Sequence, residues 1–240
     1  MLHKILVNIA LSIALAAALP LAVSAGPGPA NRLLTQQFDT RPVHQIEIGD
    51  FHFLPGQVAP KHTHVAPVFG YVSKGSIVYQ VEGREPVILN TGDAFYEPVG
   101  PDILHFDNAS KTQEAVFTDF NFEREGEPFI VFPAPLTGKI DRRSFPTGRP
   151  EGVTANTMNV FEQKLAPAGG LEPLKADETA CVYVAKGSVS VKVRGEDPII
   201  YMAGQTFYQP KNAADTRVAN ASKIDDAKLI SFRLSNTSAH

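Results

Sequence analysis

The sequence has no tryptophan, one cysteine and no excess of basic residues. The lone cysteine, Cys181, has no partner within the chain, which excludes a disulfide-stapled scaffold. Lysine and arginine number 22 against 25 acidic residues, so the chain lacks the positive surplus that binding to nucleic acid or to an anionic membrane requires. A 43% hydrophobic content excludes a disordered protein. The 240 residues therefore form one large folded domain or two small ones.

The first 25 residues have the pattern of a secretory signal peptide. Lys4 gives a positive start, residues 9–19 form an apolar core, and Val23-Ser24-Ala25 is a small-residue cleavage site. An uncleaved membrane anchor is the alternative, but Asn8 and Pro20 interrupt an apolar run that is already short for a spanning helix. We predict a mature chain that begins near Gly26, is secreted or periplasmic, and has no membrane partner after cleavage.

The rest of the chain consists of short runs rich in Val, Ile, Phe and Tyr, which are bounded by Gly, Pro, Asn or Asp. Such runs are typical of β-strands, and no long stretch has uninterrupted helical periodicity. The fold class predicted from the residues is all-β.

An internal repeat divides the mature chain. Tyr71-Val72-Ser73-Lys74-Gly75-Ser76 returns as Tyr183-Val184-Ala185-Lys186-Gly187-Ser188, and about 20 of the 66 positions from 55 to 120 match their partners 112 residues later. A period of this length indicates a duplicated domain rather than a solenoid. We predict an N-terminal domain over residues 26–122, a Pro- and Gly-rich linker over 123–152, and a C-terminal domain over 153–240. The apolar centre of the linker, residues 129–132, is expected to pack on one of the domains.

Three histidines of the first copy are lost together in the second. His62 and His64 share one face if they lie on a strand, and His105 follows 41 residues later. Their equivalents in the second copy are Leu174, Ala176 and Arg217. Imidazole is a common ligand of first-row metals, and joint loss indicates a joint role. The sequence predicts a divalent transition metal (Fe, Mn, Ni, Cu or Zn) in the first copy, while the second copy is degenerate.

These motifs resemble those of the cupins. Gly56, His62-Thr63-His64 and Gly75 resemble the first cupin motif, and Gly92-Asp93, Pro98-Val99-Gly100, His105 and Asn108 resemble the second. The resemblance implies two tandem cupin (jelly-roll) β-barrels, a metal bound by His62, His64 and His105 within the first barrel, and a homodimer.

One position departs from the cupin pattern. Val68 stands where the family usually has its glutamate ligand. Glu97 is our candidate for the missing carboxylate, either as a metal ligand or as a catalytic base, because it precedes the turn to His105 and its equivalent is Gln209. The alternative is a solvated glutamate at the barrel rim.

The resemblance favours a metal-dependent dioxygenase or related oxidoreductase that acts on a small organic substrate. Decarboxylase, hydrolase and isomerase chemistry are the catalytic alternatives, including metal-free epimerase-like chemistry with a histidine base. A non-catalytic cupin that binds metal or a small ligand is the alternative from another class, because one fold supports many functions.

Overall fold

The computed structural model describes residues 28–135, 141–145 and 148–237, and its named strands all pair antiparallel. The single helical element in these ranges is a 3-10 turn at Ala213–Asp215, which confirms the all-β prediction. No helix within them is long and apolar enough to cross a membrane. The predicted signal peptide, residues 1–25, lies outside the described residues.

Sixteen strands make up the described part of the chain. The first eight are β1 (Ala30–Val43), β2 (Gln45–Phe53), β3 (Val68–Lys74), β4 (Ser76–Val81), β5 (Val87–Asn90), β6 (Ala94–Glu97), β7 (Ile103–Asn108) and β8 (Ala115–Glu123). The others are β9 (Asp141–Ser144), β10 (Val153–Leu165), β11 (Thr179–Lys186), β12 (Ser188–Val193), β13 (Ile199–Met202), β14 (Thr206–Gln209), β15 (Thr216–Asn220) and β16 (Ala227–Ser235).

The sequence repeat is also a repeat of structure. Strands β4, β5, β6 and β8 begin and end 112 residues before β12, β13, β14 and β16. Asn108 and Asn220 occupy equivalent turns, where each side-chain amide donates to three backbone carbonyls and its Oδ1 accepts from the backbone N–H two residues on. The two asparagines therefore have the same structural role in the two halves.

Each half of the molecule is a barrel made of a five-stranded and a three-stranded sheet. The first has the orders β6-β3-β8-β2-β9 and β5-β4-β7, and the second has β1-β10-β16-β11-β14 and β13-β12-β15. One outer strand of each large sheet comes from elsewhere in the sequence. Strand β1 precedes the first copy of the repeat but pairs with β10 in the second barrel, and β9 lies in the predicted linker but pairs with β2 in the first barrel. The boundaries 26–122, 123–152 and 153–240 thus divide the sequence repeat, but the sheets cross them.

Three apolar cores follow from this arrangement. One fills each barrel, and the third joins residues of both halves between the two large sheets. In this shared core the rings of Phe120 and Phe232, which are equivalent by the repeat, stack with centroids 4.0 Å apart. Every residue of β8 is buried, because a central strand covered on both sheet faces exposes neither. Cys181 is 1% exposed in the same core, and burial raises the pKa of its thiol to about 12, so it is inert at neutral pH.

The apolar centre of the linker packs on the first barrel, as the sequence predicts. Phe129 is 7% exposed and belongs to the core of that barrel, and Ile130 packs against the same core. The guanidinium of Arg142, on β9, lies 3.9 Å from the centroid of the Phe129 ring. The linker therefore forms part of the wall of the first barrel.

Candidate metal centre

His62 and His64 lie on a short extended segment that is held at three places. The backbone of His62 pairs with Ile103, that of Thr63 pairs with Val131 of the linker, and the carbonyl of His64 accepts from the N–H of Gly100. Because the segment is extended, side chains two residues apart project to the same side. The two imidazole centroids are 5.1 Å apart, with the rings nearly perpendicular.

Glu97 ends strand β6 and completes this group. Its Oε1 lies 3.6 Å from Nε2 of His62, and its Oε2 lies 3.3 Å from Nε2 of His64. One potential ligand atom from each of the three side chains lies within 4.8 Å of the others, and all three residues are buried. The structure thus brings together three of the four residues that the sequence singled out.

The β-sheet places Glu97 beside the position where the cupin pattern has its glutamate. Val68, which stands at that position, is paired directly with Glu97 across strands β3 and β6. Side chains of directly paired residues project from the same face of a sheet at close distance. The carboxylate of Glu97 therefore lies on the same inner face of the barrel as the side chain of Val68. Since Glu97 is 2% exposed, it is not the solvated rim residue that was the alternative.

Backbone carbonyls orient both imidazoles. Nδ1 of His62 lies 2.8 Å from the carbonyl oxygen of Pro60, and Nδ1 of His64 lies 3.1 Å from that of Phe129. A carbonyl only accepts, so the neutral form of each ring carries its proton on Nδ1 and presents the lone pair of Nε2 to Glu97, whereas both nitrogens carry protons in the charged form. This is the usual arrangement of metal-binding histidines, whose second nitrogen donates to a carbonyl or carboxylate.

A second residue holds the carbonyl of Phe129 in place. Nδ2 of Asn121 donates to that oxygen at 3.1 Å and to Oε1 of Glu123 at 2.7 Å. Burial raises the pKa of Glu123 to about 7, with the nearby charge of Glu47 acting in the same direction. None of this network was evident from the sequence, because it depends on a linker carbonyl that carries no side-chain signature.

The charges within the cluster stabilise one another when no cation is present. Burial opposes ionisation of Glu97, but the two adjacent imidazoles outweigh it and lower the pKa of this carboxyl. Burial lowers the pKa of His62, but Glu97 more than compensates and the net pKa is raised. Oε1 of Glu97 and Nε2 of His64 nevertheless have no hydrogen-bond partner among the described residues. Two buried lone pairs left without a donor are what a cation would satisfy.

His105 lies away from this cluster, although the sequence analysis placed it among the ligands. Its side chain is 49% exposed, and its Nδ1 lies 2.7 Å from Oδ2 of Asp107. The β4–β7 ladder pairs Gln80 with His105 but Val81 with Ile103, so one extra residue interrupts the alternation. As a result Ile103 and Phe106 belong to the barrel core, while His105 faces outward. The third histidine is therefore not part of the site as we describe it.

The cluster adjoins a small cavity that is partly open to solvent. Two members of the cluster, His62 and Glu97, lie in its wall together with Asp119. The remaining lining residues are apolar or aromatic: Phe51, Phe53, Ala59, Pro60, Phe106, Phe117, Ile130 and Phe132. A concave apolar site with a few convergent polar groups is typical of small-molecule binding.

Asp119, on β8, is a site residue that the sequence analysis missed. It is 5% exposed, and burial together with the charge of Glu97 raises its pKa well above the usual value, although Arg142 opposes this. Its equivalent in the second copy is Ser231. The contrast between copies that identified the histidines would have identified Asp119 as well.

The second barrel has strands equivalent to those of the first but lacks the two histidines. Gln209 is equivalent to Glu97 and is also buried, at the end of β14. Leu174 and Ala176 replace the two histidines, and among the described residues the second half contains no cluster of potential metal ligands. The two halves therefore differ at the site while they agree in fold.

Comparisons with known proteins agree with this architecture. Residues 49–121 match the family model of the cupin domain. No match is found among curated proteins. The structure of AerE from Microcystis aeruginosa has 12% identity and a TM-score of 0.56, with 85% of this chain and 98% of that chain covered.

Two further solved structures cover most of the chain. Salicylate 1,2-dioxygenase from Pseudaminobacter salicylatoxidans has 14% identity and a TM-score of 0.53, covering 80% of this chain and 71% of that one. An 11S globulin from Wrightia tinctoria, whose structure shows an auxin-binding site, has 11% identity and a TM-score of 0.56, covering 89% and 83%. At such identities the likeness shows the fold and not the activity. Residues 49–121 thus match the cupin domain, and the chain as a whole shares the fold of these solved structures.

Proposed function

We propose that the first barrel binds one divalent transition metal ion through His62, His64 and Glu97, and that the loaded protein is a dioxygenase or related oxidoreductase. The observation that supports this most strongly is the buried cluster beside an apolar cavity. Two of its ligand atoms have no hydrogen-bond partner among the described residues, and leaving them so would cost about 1–3 kcal/mol each. A bound cation removes that cost.

The donor set favours redox chemistry. Two neutral imidazoles and one carboxylate, with no fourth ligand among the described residues, match the set that non-haem iron oxygenases use. When bound there, Fe(II) would supply the one-electron chemistry that makes O₂ reactive towards organic substrates. Mn, Ni, Cu and Zn accept the same donors. We therefore select Fe(II) because of the proposed oxygenase reaction and not because of the ligands.

The protein's own residues perform three tasks in this proposal. The carbonyls of Pro60 and Phe129 accept from Nδ1 of each imidazole and direct Nε2 towards Glu97. The low pKa of Glu97 keeps the carboxylate charged. Phe132 and Ile130, supplied by the linker, complete the apolar cavity wall.

The structural neighbours support the proposal only at the level of class. One neighbour is a dioxygenase and another is a globulin with a bound-auxin site, so the fold hosts both catalysis and simple binding. Binding of a small apolar molecule without turnover is the alternative function, and the small cavity with its apolar wall favours it equally. Oxygen consumption distinguishes the two functions.

The test is O₂ uptake by protein loaded anaerobically with Fe(II). A panel of small aromatic hydroxy compounds, amines and acids is supplied, and the wild type is compared with Glu97→Gln and with the His62→Ala/His64→Ala double variant. Substrate-dependent O₂ uptake by the wild type alone is expected. Stoichiometric iron without O₂ uptake with any compound would contradict the oxygenase; release of CO₂ by the Mn(II) form would then indicate a decarboxylase.

We also propose that the chain is exported and cleaved near Gly26. Expression of the full sequence followed by N-terminal sequencing of the periplasmic or extracellular protein tests this directly. A chain that keeps residues 1–25 and stays with the membrane fraction would contradict it.

A further inference from the structure

Asp119 is a buried carboxylate that the metal site does not use. It does not belong to the cluster of His62, His64 and Glu97, whose ligand atoms lie within 4.8 Å of one another. Its Oδ1 is fully buried and has no hydrogen-bond partner among the described residues. A buried acceptor without a donor is costly, and a donor on a molecule bound in the cavity would satisfy it.

The sheet makes room for aromatic rings on both sides of this carboxylate. Asp119 is paired with Gly70 on β3 and with Gly49 on β2, so neither neighbour projects a side chain beside it. A Cβ at Gly70 would lie 2.0 Å from the ring of Phe95, and one at Gly49 would lie 2.7 Å from the ring of Phe51. The two rings therefore occupy the space that these glycines leave on the face of the sheet from which Asp119 projects.

The cavity wall is otherwise suited to a flat apolar molecule. Five of its lining residues are phenylalanines, and the rings of Phe51 and Phe117 are stacked with centroids 5.0 Å apart. No lysine or arginine is among the lining residues, whereas Glu97 and Asp119 are. A hydroxyl or amino group directed towards Asp119 would donate a hydrogen bond to its Oδ1, whereas an apolar group would leave that atom without a partner.

We propose that Asp119 is a substrate-binding residue, which accepts a hydrogen bond from the hydroxyl or amino group of a small aromatic substrate in the first-barrel cavity. This rests on the proposed function in assigning the cavity to the substrate. The second barrel agrees with the assignment: Ser231 replaces Asp119, Val182 replaces Gly70, and the metal ligands are gone as well. The second barrel thus lacks the carboxylate, the glycine beside it and the two histidines together.

The experiment measures binding of three one-ring probes (phenol, aniline and toluene) to the zinc-loaded full chain by ligand-observed NMR titration. Zinc is redox-inert, so binding is observed without turnover. We expect phenol and aniline to bind about tenfold more tightly than toluene, as one additional hydrogen bond allows.

The variants separate Asp119 from the metal. Asp119→Ala should abolish the preference for phenol over toluene, and Asp119→Asn, which keeps an acceptor oxygen, should restore most of it. Ser231→Ala is the matched control in the second barrel and should change nothing. If Asp119→Ala does not fold, Asp119→Ser takes its place, because the equivalent position already holds serine in a folded barrel.

Zinc content is measured for each variant alongside binding. Equal wild-type affinity for phenol and toluene, or a preference that survives in Asp119→Ala, would overturn the inference. Loss of zinc from Asp119→Ala would also overturn it, since Asp119 would then be a metal ligand. A wild type that prefers phenol but binds no metal would contradict the proposed function and leave the assignment of Asp119 intact.

Discussion

Replacing Glu97 by glutamine changes one charge and almost no volume. Glu97 is 2% exposed, and Gln209 holds the equivalent place in the second barrel, so the substitution is compatible with the fold. What it removes is the only anionic donor of the cluster, leaving an amide that is a poor metal ligand. We expect metal affinity to fall by at least about 100-fold, since even partners of metal ligands are worth about 10- to 100-fold.

The effect on thermal stability follows from mass action. At a free metal concentration of 100 times the wild-type Kd, binding stabilises the fold by about 2.7 kcal/mol, which for a chain of this size raises Tm by about 5–10 °C. At the same concentration a 100-fold weaker variant gains about 0.4 kcal/mol, or about 1 °C. The two barrels share a core through Phe120 and Phe232, so metal binding in the first should raise the midpoint of the whole molecule.

Differential scanning fluorimetry with and without Zn(II) measures this difference. Glu85→Gln, at an exposed position, is the control for loss of one negative charge, and it should show the full wild-type rise. If Glu97→Gln shows the same metal-induced rise as the wild type, Glu97 is not a ligand and the proposed centre is wrong.

Three further predictions concern the scaffold of the site. Gly70→Ala should destabilise the protein by about 1–3 kcal/mol in urea unfolding, because its Cβ would lie 2.0 Å from the Phe95 ring. Gly148→Ala, whose Cβ would have its nearest neighbours at 3.7 Å, should be close to neutral. Equal unfolding midpoints for the two variants would contradict the close packing of Phe95 on Gly70. Since the folded-state pKa of Glu123 is raised to about 7, its ionisation costs stability as pH rises from about 4.5 to 7. Glu123→Gln should therefore be more stable than the wild type by about 1–2 kcal/mol at pH 8 but not at pH 4.5. An equal difference at both pH values would refute this prediction. Asn108→Ala and Asn220→Ala should each cost about 2–3 kcal/mol in the same assay, because both amides make the same turn hydrogen bonds, and a neutral result for either would show that these bonds are dispensable.

Duplication made much of the molecule predictable. A constant offset of 112 located the strands of both halves, because equivalent positions face equivalent surroundings in the two barrels. Comparison of the two copies also located His62, His64 and Glu97. These residues differ between the copies, whereas the strand and turn residues around them are kept. Asp119 shows the same contrast, since its equivalent in the second copy is Ser231, but it lies outside the motifs that resemble the cupin pattern.

Other features had no signal in the sequence. The position of His105 depends on one extra residue in the β4–β7 ladder, and spacing alone cannot show a bulge. The exchange of β1 and β9 between the barrels depends on long-range pairing, which local strand propensity does not encode. The orientation of His64 depends on the backbone carbonyl of Phe129, a group that every residue possesses.

The metal content of four purified proteins tests the central claim most directly. Elemental analysis would compare the wild type, His62→Ala/His64→Ala, His105→Ala and Glu85→Gln after expression and purification under identical conditions. We predict about one transition metal ion per chain in the wild type, in His105→Ala and in Glu85→Gln, and almost none in the double variant. Equal metal in the wild type and the double variant, or loss of metal from His105→Ala, would contradict the centre described by His62, His64 and Glu97.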